Sequence, residues 1–274
     1  MLPGAAGSRL AHHGNRRPFP RIETNMAISY GYDYRGQARS ALRTTDFVRR
    51  VYTYFTMGIV AAIAGGLTSL YLSGSTEVRA GFDVIALPSA VAFVVQHPFI
   101  TMGGYFAAFL VASSLRFRPG VNVAALVGYG FVTGLVIAPS VFVAQLMASN
   151  GATLDANPVR DAFFLTGAAF FGLTSYAMTT KRDLSALGSF LTMGLWILIA
   201  ASLLGFFFHA QAFHLAISSV AVMLFGGFIV YDTARIVRSG DDSDPVGAAL
   251  GLFLDVVNLF INLLRILSAT SRDR

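Results

Sequence analysis

Long runs of this chain contain no charged residue, and this pattern restricts its possible folds more than any other feature. Asp, Glu, Lys and Arg are absent from residues 51–76, 84–115, 119–154, 162–180, 184–231 and 245–254. A transmembrane helix needs about 20 such residues, and the 184–231 run is long enough for two helices. With 55% hydrophobic and 12% charged residues and a mean hydropathy of +0.63, the composition indicates a polytopic membrane protein.

The apolar runs predict an all-α bundle of seven transmembrane helices within a domain of residues 46–270. The predicted spans are 51–72, 96–115, 121–147, 160–180, 187–208, 213–233 and 247–267. Pro98 suits the first turn of the second span, so the apolar stretch before it is expected to be a surface or re-entrant segment.

The N-terminal region differs in composition from the rest of the chain. Residues 1–45 are rich in Arg, Gly and Pro without an apolar run, so they are predicted to be a disordered basic tail and not a signal peptide. Met26 is an alternative start. The net charge of +6 comes largely from this tail, which precedes membrane spans, so the expected partner is an anionic lipid bilayer and not nucleic acid. Cysteine is absent, which excludes disulfide and thiolate chemistry.

The distribution of Lys and Arg predicts the orientation. The tail and the second, fourth and sixth loops carry 15 of these residues, and the other side carries 5. The N-terminus is therefore expected in the cytoplasm, and seven spans place the C-terminus outside. A re-entrant last helix would instead leave both ends inside.

Polar residues form one stripe on the last apolar segment. Asn258, Asn262 and Arg265 lie three, seven and ten residues after Asp255, which places all four on one face of a helix. A carboxylate at the bilayer centre costs roughly 2.5 kcal/mol or more, so this face must point into the protein or a wet cavity. The C-terminal helix is therefore predicted to be central.

The predicted orientation brings three ionisable groups to one side of the membrane. Arg116 ends the second span, Asp232 ends the sixth, and Asp255 lies two to three turns into the seventh. Two close carboxylates in a low-dielectric site share a proton, and a hard cation such as Ca²⁺ can replace it. Asp232 and Asp255 are therefore the predicted pH-sensing and calcium-binding pair. Asn258 and Asn262 either line a pore or join helices by hydrogen bonds.

Other candidate sites are weaker. His97, His209 and His214 have no third ligand in a metal spacing. Asp241, Asp242 and Asp244 lack the pattern of a calcium loop and are interpreted as a solvated connector. No phosphate-binding loop or serine nucleophile motif is present, so no enzyme activity and no cofactor are expected.

Several stretches, in their order and spacing, resemble the Bax-inhibitor family in its bacterial form. They are Thr180-Lys-Arg-Asp183-Leu-Ser-Ala-Leu-Gly188-Ser-Phe-Leu191, Phe228-Ile-Val-Tyr231-Asp232-Thr233, Leu254-Asp255-Val-Val-Asn258-Leu-Phe-Ile-Asn262-Leu-Leu-Arg265 and Phe131-Val-Thr-Gly134 with Pro139. The resemblance covers residues 40 to 270.

This resemblance implies a seven-helix bundle with a central last helix and a pH-sensitive calcium leak. It implies that Asp232 and Asp255 sense protons and calcium and that Arg116, or alternatively Arg118, is a latch on the closed state. It also implies a location in the bacterial inner membrane, a link to stress responses and association with a membrane-bound AAA protease.

Two other classes of function remain as alternatives. A regulatory protein would bind a membrane protease or a stress-response partner through its basic tail without transporting ions. An intramembrane aspartyl protease also uses aspartates on neighbouring helices. The motif of such enzymes has Gly-x-Gly-Asp at the second aspartate and Pro-Ala-Leu after it. This chain has Leu252-Phe-Leu-Asp255 and no Pro-Ala-Leu.

Overall fold

The computed structural model describes residues 23–80, 83–150, 157–205, 207, 210–238 and 243–272. The chain divides into two compact units, Met1–Leu42 and Arg43–Arg274. In the first unit the described part is helical from Glu23, within the segment that was predicted to be disordered, and residues 1–22 lie outside the described residues. The second unit contains the apolar spans and both candidate carboxylates.

The described elements follow the order of the predicted spans. They are α1 (Glu23–Leu67), a π-helix (Thr68–Leu72), β1 (Ser75–Ala80), β2 (Asp83–Pro88), α2 (Ser89–Gln96), α3 (Pro98–Leu115), α4 (Asn122–Asn150), α5 (Pro158–Thr179), α6 (Ser185–Leu204), α7 (Gln211–Arg238) and α8 (Pro245–Arg272). Seven helical segments among the described residues are long and apolar enough to cross a membrane. The prediction of an all-α, seven-span protein is confirmed.

An antiparallel hairpin and a short helix precede the second span. β1 pairs with β2 from Ser75 opposite Pro88, and α2 follows directly. The second span then begins at Pro98, in the first turn of α3, as its missing N–H and fixed φ favour. The expected surface segment therefore has a defined structure, and the hairpin is an element that the sequence analysis did not predict.

α8 is the central helix of the bundle. It packs against α4, α5 and α7, and 56% of its most apolar window is buried, against 39% or less in the other six spans. Phe253, at its middle, is fully buried and packs edge-on against Tyr129 of α4. α8 is also continuous over 28 residues, which favours a spanning helix over a re-entrant one.

Glycines allow α1 and α4 to cross with their backbones in contact. A Cβ on Gly130 would lie 2.5 Å from the carbonyl oxygen of Gly58, and a Cβ on Gly134 would collide with the carbonyl oxygen of Ala62. Gly130 and Gly134 form a G-x-x-x-G pattern, the spacing that brings transmembrane helices close together. Gly128 belongs to the same helix but faces open space.

This crossing predicts that α4 tolerates a methyl group at one glycine and not at the other. Gly134→Ala forces two backbones apart, and overpacking of this kind destabilises a protein by about 1–3 kcal/mol. Gly128→Ala adds a methyl group in open space and should leave stability unchanged or slightly raised. Thermal unfolding in detergent, followed by gel filtration of the surviving fraction, measures both. Equal stability of the two variants would contradict a close crossing.

Candidate functional site

The two predicted carboxylates line the same cavity. This cavity has a volume of about 1650 Å³ and is lined by α6, α7 and α8. Asp232 enters it from α7 near the helix C-terminus, and Asp255 enters it from α8. They are close enough to interact electrostatically. The structure therefore brings the pair together at one end of the cavity.

A glycine provides the room for Asp232. Gly251 lies on α8 one turn before Asp255, and a Cβ at this position would be 2.9 Å from Oδ2 of Asp232. Arg235, one turn further along α7, also lines the cavity, and its charge acts on Asp232. The glycine thus lets the Asp232 carboxylate lie against the backbone of the helix that carries its partner.

Asp255 is the more enclosed member of the pair. The residue is 7% exposed, and its Oδ2 has no hydrogen-bond partner among the described residues. A buried carboxylate oxygen without a partner is costly in free energy unless it gains a proton, a water molecule or a cation. The site therefore has the chemistry to bind H⁺ or a hard metal ion.

The two asparagines continue this lining along α8. Both face the cavity, and each donates its side-chain amide to a carbonyl of its own helix: Asn258 to Leu254 and Asn262 to Asn258, both at 2.8 Å. In the described part of the chain the side-chain amide nitrogens are thus engaged within α8. The side-chain amide oxygens are the atoms left to bind a ligand.

Arg116 contacts a different carboxylate from those of the pair. Its Nε lies 3.4 Å from Oδ2 of Asp244, which joins the end of α3 to the start of α8. Oδ1 of Asp244 accepts a hydrogen bond from the backbone N–H of Gly247 at 2.7 Å, so this residue also caps α8. Asp244 is half-buried and structural, and its interpretation as part of a solvated connector was wrong.

The other candidate residues that the structure describes lie apart from this ion pair. Arg118 is exposed and has no ion pair within the described residues. His97 precedes α3, and His214 lies on α7 near the end of the cavity opposite the carboxylates. His209, Asp241 and Asp242 lie outside the described residues. No group of three or more His, Asp or Glu side chains suited to a metal ion occurs in the part of the chain that the structure describes.

The segment from Thr180 to Leu191 connects α5 to α6 and is held by α7. The guanidinium of Arg238, at the end of α7, donates to the carbonyls of Thr180 at 2.6 Å and Arg182 at 2.7 Å. The backbone N–H of Ser185 donates to Asp183 and lowers the pKa of that carboxyl. Arg238 is a functional candidate that sequence reasoning missed, because its partners are backbone carbonyls.

Another contact joins two of the recognised stretches. A Cβ on Gly188 of α6 would lie 2.5 Å from the ring of Tyr231, the residue before Asp232. Because Tyr231 packs into the space that Gly188 leaves, α6 fixes the register of α7 where the first carboxylate is presented.

Comparison with known proteins identifies the family. Residues 44–272 match the family model described as "Inhibitor of apoptosis-promoting Bax1". The chain belongs to the Bax inhibitor-1 family.

Relatives of this chain occur in bacteria, viruses and animals. A Campylobacter jejuni protein, named as uncharacterized, is 34% identical over 81% of this chain and 87% of its own length. The Golgi anti-apoptotic protein of vaccinia virus is 30% identical over 92% of this chain and 98% of its own. Mouse protein lifeguard 4 is 40% identical over 42% of this chain and 48% of its own. None of the three names describes an enzyme.

The ion pair between Arg116 and Asp244 predicts that their effects on stability are coupled. Arg116→Gln and Asp244→Asn should each lower stability by about 0.5–1 kcal/mol, because both side chains are partly exposed to solvent. Asparagine at 244 can still cap α8, so the second change isolates the charge. The double variant should be no less stable than either single variant, as measured by chemical denaturation in detergent. Arg118→Gln is the control and should have no effect; additive losses would exclude the pair.

Proposed function

We propose that this protein is a pH-sensitive calcium leak channel whose gate is the carboxylate pair. The observation that supports this proposal best is the shared cavity, in which Asp232 of α7 meets Asp255 of α8 and an oxygen of Asp255 has no hydrogen-bond partner among the described residues. Ca²⁺ is the proposed permeant or regulatory ion of this site, and no cofactor is proposed.

Competition between protons and calcium provides the mechanism. When both carboxylates are ionised their repulsion is relieved by a divalent cation, and when one is protonated the pair holds itself together by a shared proton. Ionisation increases as pH rises, so calcium occupancy of the pair should also rise with pH. Oxygen ligands are those that Ca²⁺ prefers, and the amide oxygens of Asn258 and Asn262 would extend the lining as pore residues.

Arg116 is the proposed latch of the closed state. Its contact with Asp244 supports this role, because Asp244 caps the helix that carries Asp255. Holding the first turn of α8 against the end of α3 would keep α8 in one position. Arg118, which is exposed, is the alternative latch and lacks such a contact within the described residues.

Calcium flux from liposomes tests the proposed channel. Purified protein is reconstituted with a calcium dye, and flux is compared between about pH 6 and pH 8, a range in which closely paired carboxylates can titrate. Wild type should show pH-dependent flux above empty liposomes. Asp232→Asn and Asp255→Asn should each abolish the pH dependence, because neither variant retains two titratable carboxyls.

Asp161→Asn is the matched control for this experiment. Asp161 is an exposed carboxylate at the start of α5 that pairs with Arg160, and it does not line the cavity. Its replacement should leave flux and pH dependence unchanged. Absence of wild-type flux above empty liposomes would refute the channel. In that case the regulatory alternative, binding to a membrane-bound AAA protease or stress-response partner, would replace it, with the aspartates holding the bundle together.

We also propose that the carboxylate pair performs no peptide hydrolysis. The motif of aspartyl proteases has glycines three residues and one residue before the second aspartate. This chain has Leu252 and Leu254 at these positions, which supports the proposal. Cleavage of a labelled transmembrane peptide, blocked by an aspartyl-protease inhibitor, would overturn it.

The proposed location is the bacterial inner membrane with the N-terminus in the cytoplasm. The excess of Lys and Arg in the tail and alternate loops supports this orientation. Because the chain contains no cysteine, single cysteines introduced into the tail test it by labelling. Labelling of the tail from outside intact cells would contradict the orientation.

A further inference from the structure

Two basic side chains lie at the end of the cavity opposite the carboxylate pair. Arg265 follows Asp255 by ten residues of helix, which corresponds to about 15 Å along α8. Arg265 and His214 both line this cavity and a neighbouring one of about 590 Å³. The two cavities therefore meet at these side chains.

Arg265 has no counter-ion among the described residues. It lies in the membrane-spanning part of α8, and no carboxylate of the described residues is within 4.0 Å of its guanidinium. An arginine within a span is costly in free energy and is usually paired or hydrated. Arginine also forms strong, bidentate hydrogen bonds with phosphate. The surroundings of Arg265 therefore suit an anionic group from outside the polypeptide.

The wall of the cavity that α6 forms is apolar and exposed at the protein surface. Met193, Trp196 and Leu203 of α6 line it and are 61%, 69% and 58% exposed. α6 packs mainly against α7, whereas α8 is covered by α4, α5 and α7. The space between α6 and α8 is therefore accessible to the hydrocarbon region of the bilayer.

We propose that this cavity binds a phospholipid with an anionic headgroup. Its phosphate contacts Arg265 and His214, and one acyl chain lies along the apolar wall of α6. The distance of about 15 Å from Arg265 to Asp255 matches half of a hydrocarbon core of about 30 Å. A free inorganic anion would satisfy the basic groups but leave the apolar wall uncovered.

The single tryptophan of the chain provides a direct test. Trp196 is the only tryptophan in the sequence and lines this cavity. Brominated acyl chains quench tryptophan fluorescence on contact. The protein is reconstituted in phosphatidylcholine bilayers that contain a minor fraction of either dibromo-phosphatidylglycerol or dibromo-phosphatidylcholine. Wild type should be quenched more strongly by the anionic lipid, because its phosphate is held at the cavity and its bromines lie beside Trp196.

Arg265→Gln should remove this preference, with an apparent affinity lower by on the order of tenfold, because a charge-assisted contact is lost. Arg265→Lys keeps the charge and should retain most of the preference. The matched control is Arg235→Gln, which removes an equal charge at the other end of the same cavity and should retain it fully. An unchanged thermal unfolding temperature of Arg265→Gln establishes that this variant is folded.

Three results would overturn the proposal. They are equal quenching by the two lipids in wild type, a preference that survives Arg265→Gln, and a preference that added inorganic phosphate abolishes. The last would identify a site for a free anion instead of a lipid. Because tryptophan quenching needs no ion flux, the lipid site and the calcium leak succeed or fail separately.

Discussion

The cost of placing a carboxylate in hydrocarbon governs this structure. Asp255 lies midway along an otherwise apolar helix, and no position facing lipid would allow its charge to be hydrated. α8 is therefore enclosed by α4, α5 and α7, and its polar face opens onto a cavity. The central position of the last helix and the location of the candidate site follow from this single residue.

The features that could be predicted from the sequence are those that depend on hydropathy and helical periodicity. These properties are local, so the seven spans, the start of α3 at Pro98 and the central α8 could be predicted. Asp232 and Asp255 line one cavity, as expected for residues placed toward the same side of the bundle. In each case a charge or an apolar run had few positions available in a membrane.

Features that depend on contacts between distant segments could not be predicted. Asp244 comes shortly after two other aspartates in the sequence, a pattern typical of a polar connector. Its packing nevertheless depends on Arg116, which lies at the end of a different helix. Arg238 binds carbonyl groups, which every residue possesses and no motif reveals. The β1–β2 hairpin is short, and with a mostly polar β1 and a mostly apolar β2 it lacks the alternation that identifies a strand.

Two helix contacts of the bundle differ in the kind of packing that supports them. α1 and α4 contact each other through backbone atoms at glycines, so there is no space between the two helices. α6 instead rests on α7, where the ring of Tyr231 and the side chains of Leu191 and Leu224 fill the space beside glycines. Side chains can change rotamer, whereas touching backbones cannot yield. A change in cavity width would therefore be a movement of α6 alone, while the other helices of the bundle keep their positions.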